Sequence, residues 1–484
     1  MNKNTVNQKS GLKKLFLEPD PKQVIKDPEK ISKKYHFLQP TIFIAIYLLY
    51  FASYLGRKQL AIGFCGPAEA HNLGIEDVFG INHNVYAILG VIYYTAYGIG
   101  KFLGGVMADK ANVRVALPTS LIVSAVVPLG IIWGCNLFSA GTISQGTMIL
   151  MMYISWGISA FIQAASFPMC SKILTFWYSN KNRATIWSFW STSHELGSAA
   201  SLGLATFLIT RFNYQAVFYI PAVIGISVSI VALILLRDKP VTQGLPDVET
   251  FAGTIITKTE EDDNEPVDNR SYGQVFKEEI LKNKNIWVLS LSFICLYIMR
   301  TGPVDWFQRV LQGDPLGTLK TILVPTFGCL GTLSIPWVSE KIFKGRRAPA
   351  LFIYFLVATV CFTLIYLTAS PKGGGNPIIA LPEAIATPVQ FVLYALLGIS
   401  TYGPLVMIGG VASIESASKK VASAATGFTG GMGYVGSVLM SIFGGIFAEM
   451  GTGYMFAVWI IAGIIAMLLM LVAWNQKANK EYSH

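Results

Sequence analysis

Long apolar runs separated by short polar breaks dominate this chain. They lie near 41–64, 84–107, 113–134, 146–170, 184–210 and 215–236, then near 285–311, 317–338, 348–369, 386–412, 421–448 and 453–475. Each is about as long as the roughly 20 residues that cross a bilayer as a helix. Pro and Gly recur inside the runs, as membrane helices tolerate. The pattern predicts an all-α polytopic membrane protein with twelve transmembrane helices in two six-helix halves, 41–236 and 285–475. A segment 1–40 precedes them, a polar linker 237–284 divides them, and a tail 476–484 follows. The linker holds the acidic run Glu260 to Glu265 between Pro246 and Pro266, a composition expected to bury little and to stay mobile.

Composition agrees with a membrane protein. Of 484 residues, 53% are hydrophobic and 13% charged, against about a quarter charged in soluble domains. The net charge of +10 does not form the basic patch that nucleic acid requires. It marks topology instead. Nine Lys precede the first run, and further Lys and Arg fall in alternate loops, at Lys110 and Arg114, Lys172 to Arg183, the linker, Lys341 to Arg347, Lys419 and Lys420, and Lys477 and Lys480. The remaining loops carry only Arg211 and Lys372 in their bodies. By the positive-inside rule both termini are cytoplasmic. The polar, Lys-rich start predicts no cleavable signal peptide. Six Cys are scattered without metal-type spacing, and Cys65 and Cys135, both at the same membrane face, are the pair to test for a disulfide.

Against this background two charges stand out. Arg57, in Tyr54-Leu-Gly-Arg57-Lys58, and Arg300, in Tyr297-Ile-Met-Arg300-Thr-Gly-Pro-Val-Asp305-Trp306, sit in the first apolar run of their respective halves. A charge at membrane depth costs several kcal/mol and marks a functional site by default. Two guanidiniums placed alike suit a clamp on a doubly charged anion. The structural alternatives are snorkelling of Arg57 and Lys58 to the interface, and an ion pair of Arg300 with Asp305 or Glu195.

Helical spacing puts Tyr47, Tyr50, Tyr54 and Arg57 on one face of the first helix, and Tyr94, Tyr97 and Lys101 on one face of the second. His194 lies in the fifth run, Tyr297 one turn before Arg300, and Tyr402 opens Tyr402-Gly403-Pro404 in the tenth. A Tyr stripe by itself serves packing or an interfacial belt. Joined to Arg, Lys and His, it supplies the donors that phosphate oxygens accept. Glu195 and Glu415 are candidates for charge compensation or proton coupling.

The halves also share a loop pattern. Gly104-Gly105-Val-Met-Ala-Asp109-Lys110-Ala-Asn-Val-Arg114 follows the second run, and Ser334 to Glu340, Lys341, Arg346 and Arg347 follow the eighth. These loops resemble those of the major facilitator superfamily, whose six-helix halves enclose a mid-membrane site. Five segments sharpen the likeness: Tyr54 to Lys58, Tyr97 to Phe102, Phe176 to Arg183, Tyr297 to Trp306, and Tyr402 to Pro404 with Lys419 to Gly430. In order and spacing the chain resembles the organophosphate:phosphate antiporter family, nearest the hexose-phosphate transporter and sensor branch.

The resemblance implies a major facilitator fold, with Arg57 and Arg300 binding phosphate from opposite halves. It implies that Lys58, Lys101, His194, Tyr50, Tyr54, Tyr97, Tyr297 and Tyr402 complete the site and pathway, and that Asp109, Arg114, Glu340 and Arg347 serve as gating loops. The fifth run departs from the family's Asn-x-x-His-Asn-x-Gly-Gly, reading Ser191-Thr192-Ser193-His194-Glu195-Leu196-Gly197-Ser198. Two amides are lost and an acid is gained. The fourth run has Ser166-Phe167-Pro168 where many members have two prolines.

The expected function is exchange of a sugar phosphate, foremost glucose 6-phosphate, for inorganic phosphate by alternating access in a bacterial-type inner membrane. A glycerol 3-phosphate antiporter, a non-transporting sugar-phosphate sensor and a proton-coupled carrier using Glu195, His194 or Glu415 are the alternatives. No nucleophile motif, phosphate-cradling loop or metal cluster suggests an enzyme. No cofactor or partner chain is called for, and the chain is read as a monomer in the bilayer.

Overall fold

The computed structural model describes residues 16–17, 19, 21–23, 25–253, 272–368, 378–413, 416 and 422–475. Twelve long helical units cross the body of the described chain. In the first half they are α1 (Pro28–Cys65), α2 (Asn84–Lys110), α3 (Val113–Val126 and Leu129–Ser139), α4 (Gln145–Ala164 and Ser166–Trp177), α5 (Asn180–Arg211) and α6 (Tyr214–Leu235). In the second they are α7 (Lys284–Val310), α8 (Gly317–Trp337), α9 (Arg347–Thr368), α10 (Glu383–Val406), α11 (Ala422–Met450) and α12 (Thr452–Val472). Ten of the units are long and apolar enough to cross a membrane by composition alone. The other two, α2 and α5, match them in length; α5 is the more polar, carrying the Ser-rich segment with His194 and Glu195. The protein is thus an all-α membrane protein, as its periodicity predicts.

Local chemistry explains where the helices start and break. Asp27 caps α1 by accepting from the backbone N–H of Glu29 and Lys30, with Pro28 in the first turn. The helix therefore begins well before the apolar run at 41. Asn213 caps α6 through Ala216 and Asn283 caps α7 through Asn285. Two expected single spans are each broken in two. In α4 the break falls at Ala165, between Ala164 and Ser166, because the ring of Pro168 collides with the carbonyl four residues back. Pro128 stands at the break in α3.

The halves meet along three contacts, with α2 packed on α11, α5 on α8, and α1 against α7. Within the second half, α8 and α10 cross so closely that a Cβ on Gly331 would lie 2.1 Å from the Ile399 carbonyl oxygen, and one on Gly398 2.1 Å from that of Val324. Only glycine fits this reciprocal crossing, the small-residue packing that membrane helices use in place of a hydrophobic drive.

The linker differs from expectation at both ends. Leu245 and Val248 are buried, and Phe251 stacks on Tyr35 at 4.1 Å between centroids. Tyr35 donates to the Pro246 carbonyl and Lys34 to that of Gln243, so apolar side chains and paired polar groups tie this stretch beneath the first half. Val275 and Ile280 are buried with Ile286 and Ala425. The acidic run itself lies outside the described residues. All six cysteines are free thiols; Cys65 and Cys135 are not bonded, and Cys65 instead accepts a 3.8 Å contact from Arg309.

Candidate functional site

Arg57 lies near the end of α1 farthest from the termini, and Arg300 takes the matching place on α7. Both guanidiniums are turned inward. Arg57 is only 8% exposed, which removes snorkelling as its explanation. Its Nη1 donates to the Tyr54 hydroxyl at 3.1 Å, and its guanidinium carbon lies 4.3 Å from the centre of the Tyr97 ring and 5.3 Å from that of Tyr93. Arg300 lies 4.6 Å from the Tyr402 ring centre and 5.7 Å from that of Tyr297. The two cations are thus held by aromatic faces. Among the described residues neither has a carboxylate within ion-pair distance, and the Nε of each is buried without a hydrogen-bond partner. A narrow cavity lies between them, bounded also by Tyr54, Tyr297, Tyr402 and Lys58.

Asp305, weighed above as a partner for Arg300, is taken by other groups. Lys58 Nζ reaches its Oδ1 at 2.7 Å, Tyr94 donates to its other oxygen, and Tyr86 donates to its backbone carbonyl at 2.8 Å. Lys58 therefore closes one wall of the cavity and joins α1 to α7. Glu195 is likewise not paired with Arg300; it accepts from Thr332 of α8.

The remaining residues singled out in the sequence form a second layer. Tyr97 lies under Arg57, and Lys101, one turn further along α2, rests 4.4 Å from the Phe167 ring centre and 5.4 Å from that of Tyr434. His194 packs behind Tyr54 at 5.4 Å and near Tyr402 at 6.3 Å. Tyr50 does not border the cavity; its ring packs tilted against Trp190, 4.6 Å between centroids. Tyr434 was not singled out in the sequence, yet it lies 5.0 Å from Tyr97 and 5.4 Å from Tyr297. The signal was a single ring between Gly433 and Gly436, where an added Cβ would lie 2.7 Å from the Tyr297 ring and 2.3 Å from the Ile294 carbonyl oxygen, respectively, so only glycine lets α11 come this near α7. Tyr93 was also missed. Its hydroxyl is spent on Gln163 at 2.6 Å, which fixes its face toward Arg57.

Of the loop residues, Arg347 Nη1 donates to Glu340 Oε1 at 2.5 Å and to Ser339 at 3.0 Å. Arg114 donates to the Leu233 carbonyl at 3.3 Å. The side chain of Asp109, and Glu415, Lys419 and Lys420, lie outside the described residues. At the face away from the termini the halves are sealed. Arg309 pairs with Glu76, Glu69 accepts from Thr318 N at 3.0 Å and Oγ1 at 2.7 Å, and Gln308 accepts from Ala68 N at 3.0 Å.

The family model described as Major Facilitator Superfamily matches residues 41–403. The chain belongs to that superfamily. A "Probable hexose phosphate transport protein" of Chlamydia trachomatis is 28% identical to this facilitator over 97% of this chain and 99% of its own. A "Hexose-6-phosphate:phosphate antiporter" of Salmonella typhimurium is 29% identical over 85% of this chain and 81% of its own. A "Membrane sensor protein UhpC" of the same organism is 26% identical over 95% and 96%. Among solved structures, a bacterial homologue of the human lysosomal transporter Spinster, inward-facing and occupied, superposes with a TM-score of 0.61 at 15% identity, covering 90% of this chain and 97% of that one. The last likeness concerns the fold alone. This facilitator is an integral membrane protein and not an enzyme.

Proposed function

We propose that this facilitator exchanges a sugar phosphate, foremost glucose 6-phosphate, for inorganic phosphate across a bacterial-type inner membrane, with both termini cytoplasmic. The observation that carries the reading is the pair of inward-turned guanidiniums, one from each half, facing a shared cavity with no carboxylate partner among the described residues. A phosphate with two or more acceptor oxygens supplies the missing partner, and Arg grips it bidentately. The names of the hexose-phosphate relatives support the substrate class.

In this mechanism a phosphate draws Arg57 and Arg300 together, which draws the halves together around it. Only an interaction stronger in the closed state does this. The empty site, with two like charges, resists closure, so a carrier that has released one anion waits for another. Tyr54, Tyr97, Tyr297 and Tyr402 orient the cations, Lys101 and His194 complete the site, and Asp109, Arg114, Glu340 and Arg347 belong to the gating loops on the terminal side. The chain works as a monomer in the bilayer.

Proteoliposomes loaded or not with phosphate test this with radiolabelled phosphate and glucose 6-phosphate. Uptake of both labels that requires internal phosphate is the expected result. Binding of glucose 6-phosphate without entry of either label points to the second reading, a sensor, which the similarity to the membrane sensor protein favours. Uptake that ignores internal phosphate excludes exchange.

A further inference from the structure

Glu195 has no task in the phosphate clamp. It lies midway along α5, 0% exposed, at the line where α5 packs on α8 of the other half. Its Oε1 accepts from the Thr332 hydroxyl, so the contact bridges the halves. Its Oε2 is buried without any hydrogen-bond partner. The groups that face it are few. His194, on the same helix, holds Nε2 3.9 Å from Oε1, outside hydrogen-bond distance. From α8 come Thr332 and Cys329, and from α7 and α10 the charge of Arg300 and the ring of Tyr402 act across the site. On α1, Tyr54 lies against His194 rather than the carboxyl.

An ionised carboxylate needs several donors when it leaves water, and one hydroxyl does not replace its hydration. At membrane depth the uncompensated charge costs several kcal/mol, while the neutral acid costs far less. The junction as it stands therefore holds the acid with its proton. Alternating access moves one half against the other around a fixed site. Such a motion separates Thr332 from Glu195, admits water, and restores the condition in which a carboxyl ionises.

We propose that Glu195 is a proton-binding site built into the junction of the two halves, taking a proton from water when the junction closes and returning it to water when it opens. The inference rests on the transporter reading above and goes beyond it. Its consequence concerns charge balance. When Glu195 binds a proton, the net positive charge around the two arginines rises by one unit, so a protonated site suits a phosphate dianion and an ionised one a monoanion. One site then accommodates both a sugar phosphate and inorganic phosphate when their valences differ.

The test compares wild type with Glu195→Gln, which imitates the protonated acid. Phosphate exchange is measured in proteoliposomes with equal pH inside and out. The purified full chain is also examined by infrared difference spectroscopy for the carbonyl stretch of a protonated carboxylic acid. Wild-type exchange is expected to fall roughly tenfold from about pH 6 to about pH 8, whereas E195Q retains exchange with a much flatter profile, the titration of phosphate being common to both. The infrared band is expected in wild type and lost in E195Q. A pH profile in E195Q parallel to wild type, or an unchanged band, overturns the proposal. Should E195Q not fold, Thr332→Val serves: removing the Thr332 hydroxyl, and leaving only the weaker Cys329 thiol to favour the ionised acid, moves the wild-type profile to higher pH, and an unmoved profile overturns it. Absence of exchange by wild type at every pH would refute the transporter reading, and the infrared band would still decide the proton site.

Discussion

Lys58 Nζ lies 2.7 Å from Asp305 Oδ1, and the two residues are near neighbours in sequence of the two site arginines, Arg57 and Arg300. The bridge joins α1 to α7 at one wall of the cavity. In the proposed clamp, α1 and α7 each carry one anion-binding arginine and one partner of the bridge, so movement of either arginine toward an anion acts on the bridge through its own helix.

Removing one partner of this bridge loosens the seal. Asp305→Asn leaves Lys58 with a weaker partner in a mostly buried place, and a population shift of about tenfold toward the open seal corresponds to about 1.4 kcal/mol. Cys65, 8% exposed beside Arg309, reports this. D305N is expected to raise the rate at which a membrane-impermeant maleimide labels Cys65, with Cys65→Ser as the blank. An unchanged rate means the bridge does not hold the face closed.

The arginines are not interchangeable with lysines. Arg57→Lys and Arg300→Lys each keep the charge and lose the planar fork, and a charge-assisted hydrogen bond is worth about 1.5–3 kcal/mol. Each change is expected to lower the phosphate exchange rate by roughly ten- to a hundredfold, read as initial uptake of labelled phosphate. Wild-type exchange in R300K would count heavily against the clamp.

Lys101 touches rings and, among the described residues, no carboxylate. Lys101→Gln therefore breaks no ion pair and is expected to leave the melting temperature within a few degrees. Apparent affinity for phosphate is expected to weaken several-fold, and the remaining uptake to depend less on salt. A large loss of stability with unchanged affinity would assign Lys101 to packing instead.

The crossing of α8 and α10 admits no side chain at Gly331 or Gly398. Gly331→Ala and Gly398→Ala force the backbones apart, at a cost of about 1–3 kcal/mol each, and are expected to lower the melting temperature in detergent by several degrees. Gly410→Ala, where nothing lies within 4 Å of an added Cβ, is the comparison. Equal melting temperatures for all three would show that the helices can separate without penalty.

The residues themselves determined the class of fold. Twelve runs of suitable length, with basic residues in alternate loops, leave a polytopic helical protein as the only arrangement that satisfies the backbone in lipid. They also gave the two arginines, because a buried guanidinium in an apolar run is costly enough to be conspicuous in one dimension. What lay outside that reach was partnership. Whether Arg300 faced Asp305, Glu195 or an open cavity depends on the relative placing of α1, α5, α7 and α8, which no helical period encodes. The same holds for Tyr434, brought to the site by glycines whose close approach exists only in three dimensions, and for the start of the linker, where Tyr35 and Phe251 meet across more than two hundred residues of chain. Helical periodicity is local, since it follows from 3.6 residues per turn. Pairing of charges across two halves is decided by packing between distant segments, and the tertiary structure alone assigned Lys58 to Asp305 and left the two arginines free for an anion.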